Sequence, residues 1–224
     1  MKPKNKYYNR SRISEAKFRE VIKFFSADLT AEKIAEFTKL NRNTINKILK
    51  LLRERIVEEL DNETKEKWVF ELDESYFWAR RVRWKRWRWA SWKTPVFWLL
   101  KRDWKVYTQI VENCSREQLL PIIKWKILEW STINTDWWKA YDSLVLNWYK
   151  HHRVYHSKDE FARWKSHVNW IESFWSYVKR RLNKFNWTKK TFKLHLKESE
   201  FRFNLKKENL YDKILEMLRK KSLN

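Results

Sequence analysis

Glycine is absent from all 224 residues of the chain, whereas tryptophan occupies 17 positions. Glycine usually supplies about 7% of residues, so its complete absence from a chain of this length is far outside ordinary variation. Turns that require a positive φ angle normally use glycine, because a side chain is strained there. The chain is therefore either a genuinely tryptophan-rich protein or one in which tryptophan is written for glycine.

Cysteine and long apolar segments are also scarce. The one cysteine, Cys114, excludes a disulfide framework or a cysteine-rich zinc site within one chain and fits a reducing cytoplasm. The longest apolar run, "VFWLL", is about five residues and too short to span a bilayer. The charged start, "MKPKNKYYNRSR", has no apolar core of a secretory signal. We expect a cytoplasmic, bacterial, nucleoid-associated protein with no membrane partner.

Positive charge dominates what is present. The chain has 51 Lys and Arg against 28 Asp and Glu, a net charge of +23. This balance predicts a polyanionic partner, with double-stranded DNA first and an acidic membrane surface second. The hydrophobic content of 43% supports a globular chain that can bury a core.

The positions of several tryptophans are typical of glycine. Trp104 lies in "RDWK" between two β-rich segments, where an Asp-Gly pair would form a type I′ hairpin turn. Three more tryptophans follow asparagine, as glycine does in Asn-Gly turns, at 147–148, 169–170 and 186–187. We hypothesise that most of the tryptophans are glycines, from a gene in which UGA encodes glycine.

Not every tryptophan fits this hypothesis. Trp138 and Trp175 lie in helical apolar patterns and are expected to be true tryptophans, and Trp68 is ambiguous. The stretch "WARRVRWKRWRWASWKTPVFW", residues 78–98, becomes a glycine-punctuated cationic loop followed by a strand. Its cations are predicted to contact the DNA backbone; they are Arg80, Arg81, Arg83, Lys85, Arg86, Arg88 and Lys93.

Residues 11–60 have the pattern of three helices, capped by Ser14, Thr30 and Asn41. A small residue, Ala35, stands where the second and third helices would cross, and the spacing of the apolar residues is typical of a helix-turn-helix. The alternative is a plain three-helix bundle with a solvated charged face. Outward-facing residues suited to phosphates and base edges are Arg42, Asn43, Asn46, Lys47 and Lys50.

Short β-branched or aromatic segments predict strands at 69–73, 96–101, 105–111 and 131–135. Helices are expected over 116–128, 167–185 and 190–220, which together indicate an α/β domain with a mixed sheet flanked by helices. We divide the chain into a helix-turn-helix domain (1–60), a catalytic domain (61–205) and a charged helical C-terminal tail (206–224).

Carboxylates stand at the expected strand ends. Asp73 follows "WVFEL" and Asp136 follows "STINT", and strand ends of an α/β sheet converge on the ligand crevice. Glu172 lies on a polar stripe of the next long helix with Asn169 and Lys179. Three carboxylates, Asp73, Asp136 and Glu172, can hold two Mg²⁺ (or Mn²⁺) ions for in-line attack on a phosphodiester, and Lys179 can hold a DNA phosphate. The alternative is that each acid is an ordinary turn, cap or surface residue.

The sequence offers two other candidate sites, a histidine pair and a cysteine, with less support from their spacing. His152 and His156 have the i, i+4 spacing of a zinc pair on a helix, although such a pair is usually a surface feature. His156 or His167 could instead border the crevice. Cys114 has no evident base partner in the sequence, which argues against thiol chemistry.

Five segments together resemble the ISXO-like insertion-sequence transposases. They are "FELDESYFWARR", "KTPVFWLLKRDWKVYTQIV", "TDWWKAYD", "VYHSKDEFA" and "HVNWIESFWSYVKRRLNKFNW", and the resemblance covers roughly residues 15–205. That family belongs to the DDE superfamily, and the resemblance implies a ribonuclease H-like fold. The family has glycine at the tryptophan of "YFWARR", "VFWLL", "VNWIESFW" (the first tryptophan) and "FNW".

The resemblance implies that Asp73 and Asp136 are the catalytic aspartates. It leaves the third position open between Asn169 and Glu172; we favour Glu172, because a carboxylate is the better Mg²⁺ ligand. Some relatives carry an N-terminal zinc ribbon, for which this chain has no cysteines.

The expected function is that of an insertion-sequence transposase. It would cut at the element's ends and join the 3′-OH to target DNA as a homodimer or larger synaptic assembly. The alternatives are a non-catalytic helix-turn-helix regulator and a ribonuclease H-type nuclease.

Overall fold

A computed structural model describes residues 5–62, 65, 67–77, 94–101, 105–135, 147–153, 173–185 and 190–224. The chain folds into two compact units. The helical unit comprises Met1–Glu63 and Val178–Asn224, and the sheet unit is Thr64–Tyr177.

The helices are as follows: α1 Glu15–Ser26, α2 Ala31–Thr38, α3 Arg42–Asp61, α4 Arg116–Lys126, α5 over residues 173–184, α6 Phe192–Asn204 and α7 Leu210–Lys220. The strands are β1 Val69–Phe77, β2 Thr94–Lys101, β3 Lys105–Ile110, β4 Thr132–Thr135 and β5 Lys150–Arg153.

Side-chain caps start the first three helices, as the sequence predicts. Ser14 Oγ accepts from the Lys17 amide at 3.3 Å, and Thr30 Oγ1 accepts from the Lys33 amide at 3.4 Å. Asn41 Oδ1 accepts from the Asn43 amide at 2.8 Å. Each cap satisfies an N–H that the first helical turn leaves without a partner, which fixes where the helix begins.

An apolar core holds the helical unit together. It is formed by the inward faces of α1, α2, α3 and α7 and includes Phe18, Ile34, Ile45, Ile48 and Leu218, all 0% exposed. The turn between α2 and α3 contains Lys39 in the left-handed region at φ 57°. This turn lets α3 pack across α2 with Ile45 and Ile48 pointing inward, as the sequence predicts.

A buried ionic cluster centred on Glu198 of α6 also lies in the helical unit. Arg53 Nε of α3 donates to Glu198 at 2.7 Å, Arg202 Nε donates at 2.9 Å, and Arg181 of α5 is a third partner. Arg181 also pairs with Asp28 at 3.0 Å. Burial alone would raise the pKa of Glu198, but the surrounding guanidinium groups outweigh burial and hold the pKa well below its ordinary value.

The sheet unit contains a mixed five-stranded sheet in the order β3-β2-β1-β4-β5. Neighbouring strands β1 and β2, and β2 and β3, pair antiparallel, whereas β1, β4 and β5 run parallel. One face packs on α4 through a core that includes Phe70, Leu72, Phe97, Leu119 and Ile123. The sheet with flanking helices confirms the predicted α/β fold.

The opposite face of the sheet contains Asp73. Strand alternation places Glu71, Asp73, Ser75 and Phe77 of β1 on this face, together with Trp98 of β2. The ring of Trp175, on α5, lies 5.4 Å from that of Phe77 and 6.1 Å edge-on from that of Trp98. Helix α5 therefore packs on the same face as Asp73.

Several elements differ from the sequence-based prediction. Strand β1 continues to Phe77 because its second half pairs fully with β2, so Asp73 lies at the centre of β1 and not at its end. Strand β5, "KHHR", was not predicted, because it is a polar segment without apolar alternation.

The C-terminal segment was predicted to be a charged tail. In the structure, Ile214, Leu215, Met217 and Leu218 of α7 are buried in the core of the helical unit. Residues 178–205, which the sequence division assigns to the catalytic domain, fold as part of this unit. The charged residues of α7 occupy its outer face. Because they dominate the composition of the segment, the apolar stripe on the inner face was overlooked in the sequence. The division into functional domains stays a prediction.

No helix in the described part of the chain is long and apolar enough to cross a membrane.

Candidate active site

Asp73 lies on β1 directly after the last residue whose pairing with β4 falls within the described part of the chain. The described register ends with Leu72 paired to Thr135. The next residue along β1 is Asp73, and the next residue in the sequence after Thr135 is Asp136. Asp136 lies outside the described residues. In the sequence, each member of the last described pair, Leu72 and Thr135, is therefore followed by an aspartate.

The Asp73 carboxylate is partly exposed, and its Oδ1 accepts from the Glu74 amide at 2.8 Å. A carboxylate that is held by its own backbone and is still reachable from solvent suits a ligand of a divalent cation.

Helix α5 approaches this face from above the sheet. Trp175 is 8% exposed and packs its ring on those of Phe77, Trp98 and Phe174. Glu172 precedes Trp175 by three residues in the sequence and lies outside the described residues. The packing of Trp175 fixes the start of the described helix on the face that contains Asp73.

A second polar row crosses the same face, two residues before Asp73 along β1. Glu71 of β1 pairs in register with Asn134 of β4, and Asn134 pairs with His152 of β5. Glu71 is 7% exposed and Asn134 is 5% exposed. Burying a polar side chain costs free energy unless it is hydrogen-bonded. Polar side chains therefore continue along this face on the side of Asp73 toward the start of β1.

The structure describes only some of the predicted site residues. Asp73 is described, whereas Asp136, Asn169 and Glu172 lie outside the described residues. Lys179 is exposed on α5. The cationic loop over 78–93 also lies outside the described residues.

The predicted donor set fits Mg²⁺ by its chemistry, because it consists of carboxylate oxygens, with one partly exposed member on the sheet. Within the residues that the structure describes, no three His, Cys, Asp or Glu side chains form a group able to hold a metal. Two of the three predicted ligands fall outside that set.

The structure describes one member of the predicted histidine pair, and the pair stays a prediction. His152 lies in strand β5 and not in a helix, where an i, i+4 spacing would bring two side chains to one face. His151 Nε2 lies 2.8 Å from Thr135 Oγ1, which accounts for that histidine within the sheet. His156 and His167 lie outside the described residues.

Cys114 lies on the other face of the sheet, in the core against α4. Tyr76 Oη donates to its Sγ at 3.5 Å. Burial raises the pKa of the Cys114 thiol, which disfavours the thiolate needed for nucleophilic chemistry.

The predicted DNA-contacting residues of α3 share one exposed surface. All five are solvent-exposed on the first half of the helix, while Ile45 and Ile48 between them are buried; the five are Arg42, Asn43, Asn46, Lys47 and Lys50. Lys50 pairs with Glu54 at 3.7 Å on the helix surface.

The mixed sheet, its flanking helices and the aspartate on its central strand define a protein of the DDE transposase class with a ribonuclease H-like domain. Residues 68–204 match the family model described as the ISXO2-like transposase domain. The chain belongs to this family.

A curated relative supports the same conclusion. The chain is 42% identical over 120 residues to an uncharacterized transposase-like protein of Haemophilus influenzae. The match covers 53% of this chain and 97% of the relative.

The burial of Asn134 was not predicted from the sequence. Asn134 lies in the four-residue strand "TINT", where nothing in the sequence distinguishes it from an ordinary exposed polar residue. Only the register with Glu71 and its burial single it out, and both require the sheet.

Proposed function

We propose that this protein is an active insertion-sequence transposase that cuts DNA at the ends of its element and joins the 3′-OH to target DNA. The observation that carries the proposal is the parallel register of β1 with β4, which leads into Asp73 and Asp136. Two carboxylates that lie close together can share a divalent cation.

Asp73, Asp136 and Glu172 would hold two Mg²⁺ or Mn²⁺ ions. When bound, these ions would activate the attacking oxygen and stabilise the leaving oxygen of a phosphodiester. Asp73 presents its carboxylate from the rigid centre of β1, which limits its motion. Lys179, exposed on α5, would hold a DNA phosphate.

We favour Glu172 over Asn169 as the third ligand. A carboxylate neutralises more of the charge of a divalent cation than an amide does. Glu172 also lies three residues before Trp175, whose ring packs on the Asp73 face. That spacing places two side chains on one surface of a helix.

Helix α3 would recognise the terminal inverted repeats of the element. Its five exposed residues combine three cations with two amides, and amides are the groups that read adenine edges in the major groove. The cationic residues of the 78–93 loop would add sequence-independent backbone contacts. Because both element ends must be processed together, we propose a homodimer or larger synaptic assembly.

Single substitutions on α3 should separate base contacts from phosphate contacts. We expect Asn46→Ala to lose about 1–3 kcal/mol of binding to the specific repeat and to relax sequence preference. Lys47→Ala should weaken all DNA sequences similarly and reduce the salt slope by about 1. Fluorescence anisotropy with repeat and scrambled duplexes at several salt concentrations measures both.

Lys220→Ala, an exposed cation on α7, is the matched control and should change neither quantity appreciably. If Asn46→Ala and Lys47→Ala bind both duplexes as the unchanged protein does, α3 is not the recognition helix.

We also propose that most tryptophans of the written sequence are glycines in the natural protein. Trp130 and Trp148 have φ angles of 66° and 63°, in the left-handed region that favours glycine. They are 55% and 61% exposed, so neither ring is needed for the core. Trp148 is in one of the three Asn-Trp pairs that the sequence singled out, and Trp130 was not singled out.

Two further positions support the same proposal. Lys101 pairs with Lys105, which leaves three residues between β2 and β3 rather than the two of a type I′ turn. Three-residue hairpin loops commonly end in a left-handed residue, usually glycine, and Trp104 is the last of the three. Trp98 is 1% exposed, and its Nε1 has no hydrogen-bond partner among the described residues.

Trp175 behaves differently, because its ring packs on those of Phe77 and Phe174, which are not among the positions proposed to be glycine. Peptide mass mapping of protein from its natural host should therefore give glycine at 130 and 148 and tryptophan at 175. Tryptophan at all three positions would contradict the proposal. The coding DNA, read for UGA at the same codons, is an independent check.

A further inference from the structure

Lys39, in the turn between α2 and α3, has a backbone conformation that lysine rarely adopts. Its φ and ψ angles are 57° and 28°, in the left-handed region. There the Cβ atom of an L-residue crowds the following carbonyl oxygen, so glycine is the usual residue directly after a helix. Asparagine and aspartate are the common exceptions, because their short side chains bond to the local backbone. A lysine at this position therefore makes the turn less stable than a glycine would.

The other left-handed positions among the described residues show what usually stands there. Asp28 is one of the tolerated residue types. Trp130 and Trp148 are proposed to be glycine in the natural protein. Arg10 and Lys39 remain as exposed cations, and of these two Lys39 is in the turn directly before α3.

The side chain of Lys39 is exposed, and no described carboxylate pairs with its ammonium group. Lys50, by comparison, pairs with Glu54 at 3.7 Å. Arg42 is the first residue of α3. Because three residues of chain span at most about 11 Å, the Cα atoms of Lys39 and Arg42 lie within that distance. The ammonium group is thus next to the exposed surface at the start of α3.

A cation at this position suits the DNA backbone rather than a base edge. A duplex carries one phosphate charge about every 1.7 Å of its axis, so a duplex that contacts Arg42 and Asn43 has several phosphates near the turn. Contacts to phosphates fix the position of a protein on the duplex and carry no direct sequence information. Lysine supplies a compact charge on a flexible stem, which reaches a phosphate without a fixed geometry.

We propose that Lys39 binds a DNA phosphate and so positions the start of α3 on the duplex. This inference rests on the proposed function, because it assumes that α3 binds the inverted repeat. The left-handed lysine makes the turn less stable in the free protein, and its charge strengthens the binding of DNA of any sequence. Stability and DNA affinity should therefore respond in opposite directions when Lys39 is replaced by glycine.

Lys39→Gly tests both responses in the full chain. Glycine relieves the crowding at φ 57°, so the urea midpoint of unfolding should rise. Loss of one phosphate contact should weaken binding of the repeat duplex and of a scrambled duplex by the same factor and reduce the salt slope by about 1. Fluorescence anisotropy at several salt concentrations measures the affinity for both duplexes.

Two further variants separate charge from backbone conformation. Lys39→Gln removes the charge and keeps the left-handed crowding, so DNA binding should weaken as in Lys39→Gly while the urea midpoint stays the same. Arg10→Gly is the matched control: Arg10 is an exposed cation at φ 54°, and the adjacent Asn9 bonds to Ser222 and Asn224. Its urea midpoint should also rise, but its affinity for both duplexes and its salt slope should not change.

A lysine that is merely tolerated in the turn predicts a higher midpoint for Lys39→Gly with unchanged affinity and salt slope, and that result would overturn the inference. Equal losses of affinity in Arg10→Gly and Lys39→Gly would also overturn it, since they would show an effect of net charge alone. Failure of the proposed function is distinguishable, because Asn46→Ala and Lys47→Ala would then also bind both duplexes normally. If those two variants lose binding and both Lys39 variants keep it, only the role of Lys39 is wrong.

Discussion

Replacing Asp73 with asparagine will lower Mg²⁺-dependent strand transfer by at least about 10³-fold. A bound divalent cation supplies several kcal/mol of charge stabilisation to the transition state, and about 4 kcal/mol corresponds to a factor of about 10³ in rate. Asparagine has the shape of aspartate and preserves the pairing of β1 with β2, but its amide does not balance the charge of the cation. The rate is measured from joined products of a labelled donor end in a target plasmid.

The unfolding midpoint and the affinity for the repeat duplex should be unchanged in Asp73→Asn, because the fold and α3 are not affected. Glu74→Gln is the matched control: it removes the adjacent carboxylate, which alternation places on the other face of β1, toward Tyr76 and Cys114. It should retain strand transfer within a few fold. Normal strand transfer by Asp73→Asn would show that Asp73 is not a metal ligand.

Replacing Glu198 with glutamine will strongly lower the free energy of unfolding. The Glu198 side chain is 1% exposed and is the common partner of Arg53, Arg181 and Arg202. Removing its charge leaves three buried or nearly buried guanidinium groups facing one another, and breaking such a network costs about 3–5 kcal/mol. Urea denaturation at pH 7 measures the loss in the free energy of unfolding.

Glu208→Gln is the comparison, since Glu208 forms an exposed ion pair with Lys213 at 2.8 Å. Exposed pairs contribute about 0–1 kcal/mol. Equal effects of the two substitutions would contradict the view that the Glu198 cluster stabilises the helical unit.

The effect of Glu198→Gln should depend on pH. Because the folded-state pKa of Glu198 lies well below the ordinary value of 4.5, its contribution is fully present above pH 4.5. It is lost as the pH falls through the folded-state pKa. The difference in the free energy of unfolding between the two proteins should therefore shrink in strong acid, and a difference that grows there would show that the pKa is raised instead.

The helical caps were predictable from sequence, because they depend on local chemistry. Ser14, Thr30 and Asn41 each precede an apolar stripe and each accept the hydrogen bond that the pattern predicts. The role of α7 was not predictable in the same way. Its apolar stripe is short and set among charges, and its burial depends on α1 and α3, which are far away in sequence.

The sheet shows the same division between local and long-range information. Strands β2, β3 and β4 have apolar or β-branched residues and were predicted nearly to their observed ends. Strand β5 consists of lysine, histidines and arginine, and it forms because β4 offers a parallel partner. Asp73 was predicted as a site residue from its position after an apolar run, although that run is the first half of a longer strand.

Asn134 marks the limit of sequence reasoning at the candidate site. Its burial in register with Glu71 depends on the β1–β4 pairing, and a one-residue shift in that pairing would move Asn134 to the other face of the sheet. Asp136 could be predicted as a candidate because a carboxylate directly follows the predicted strand, whereas Asn134 is one of several small polar residues in "STINTD".

The most direct test of the transposase proposal is a joining assay with a duplex that carries the terminal inverted repeat flanking the gene. We expect the unchanged protein to join the 3′-OH of this duplex to a target plasmid in Mg²⁺, and to form no joined product in EDTA. A duplex that is bound but neither cut nor joined would instead indicate a DNA-binding regulator. A duplex that is cut but never joined would indicate a nuclease, and either result would contradict strand transfer by Asp73 and Asp136.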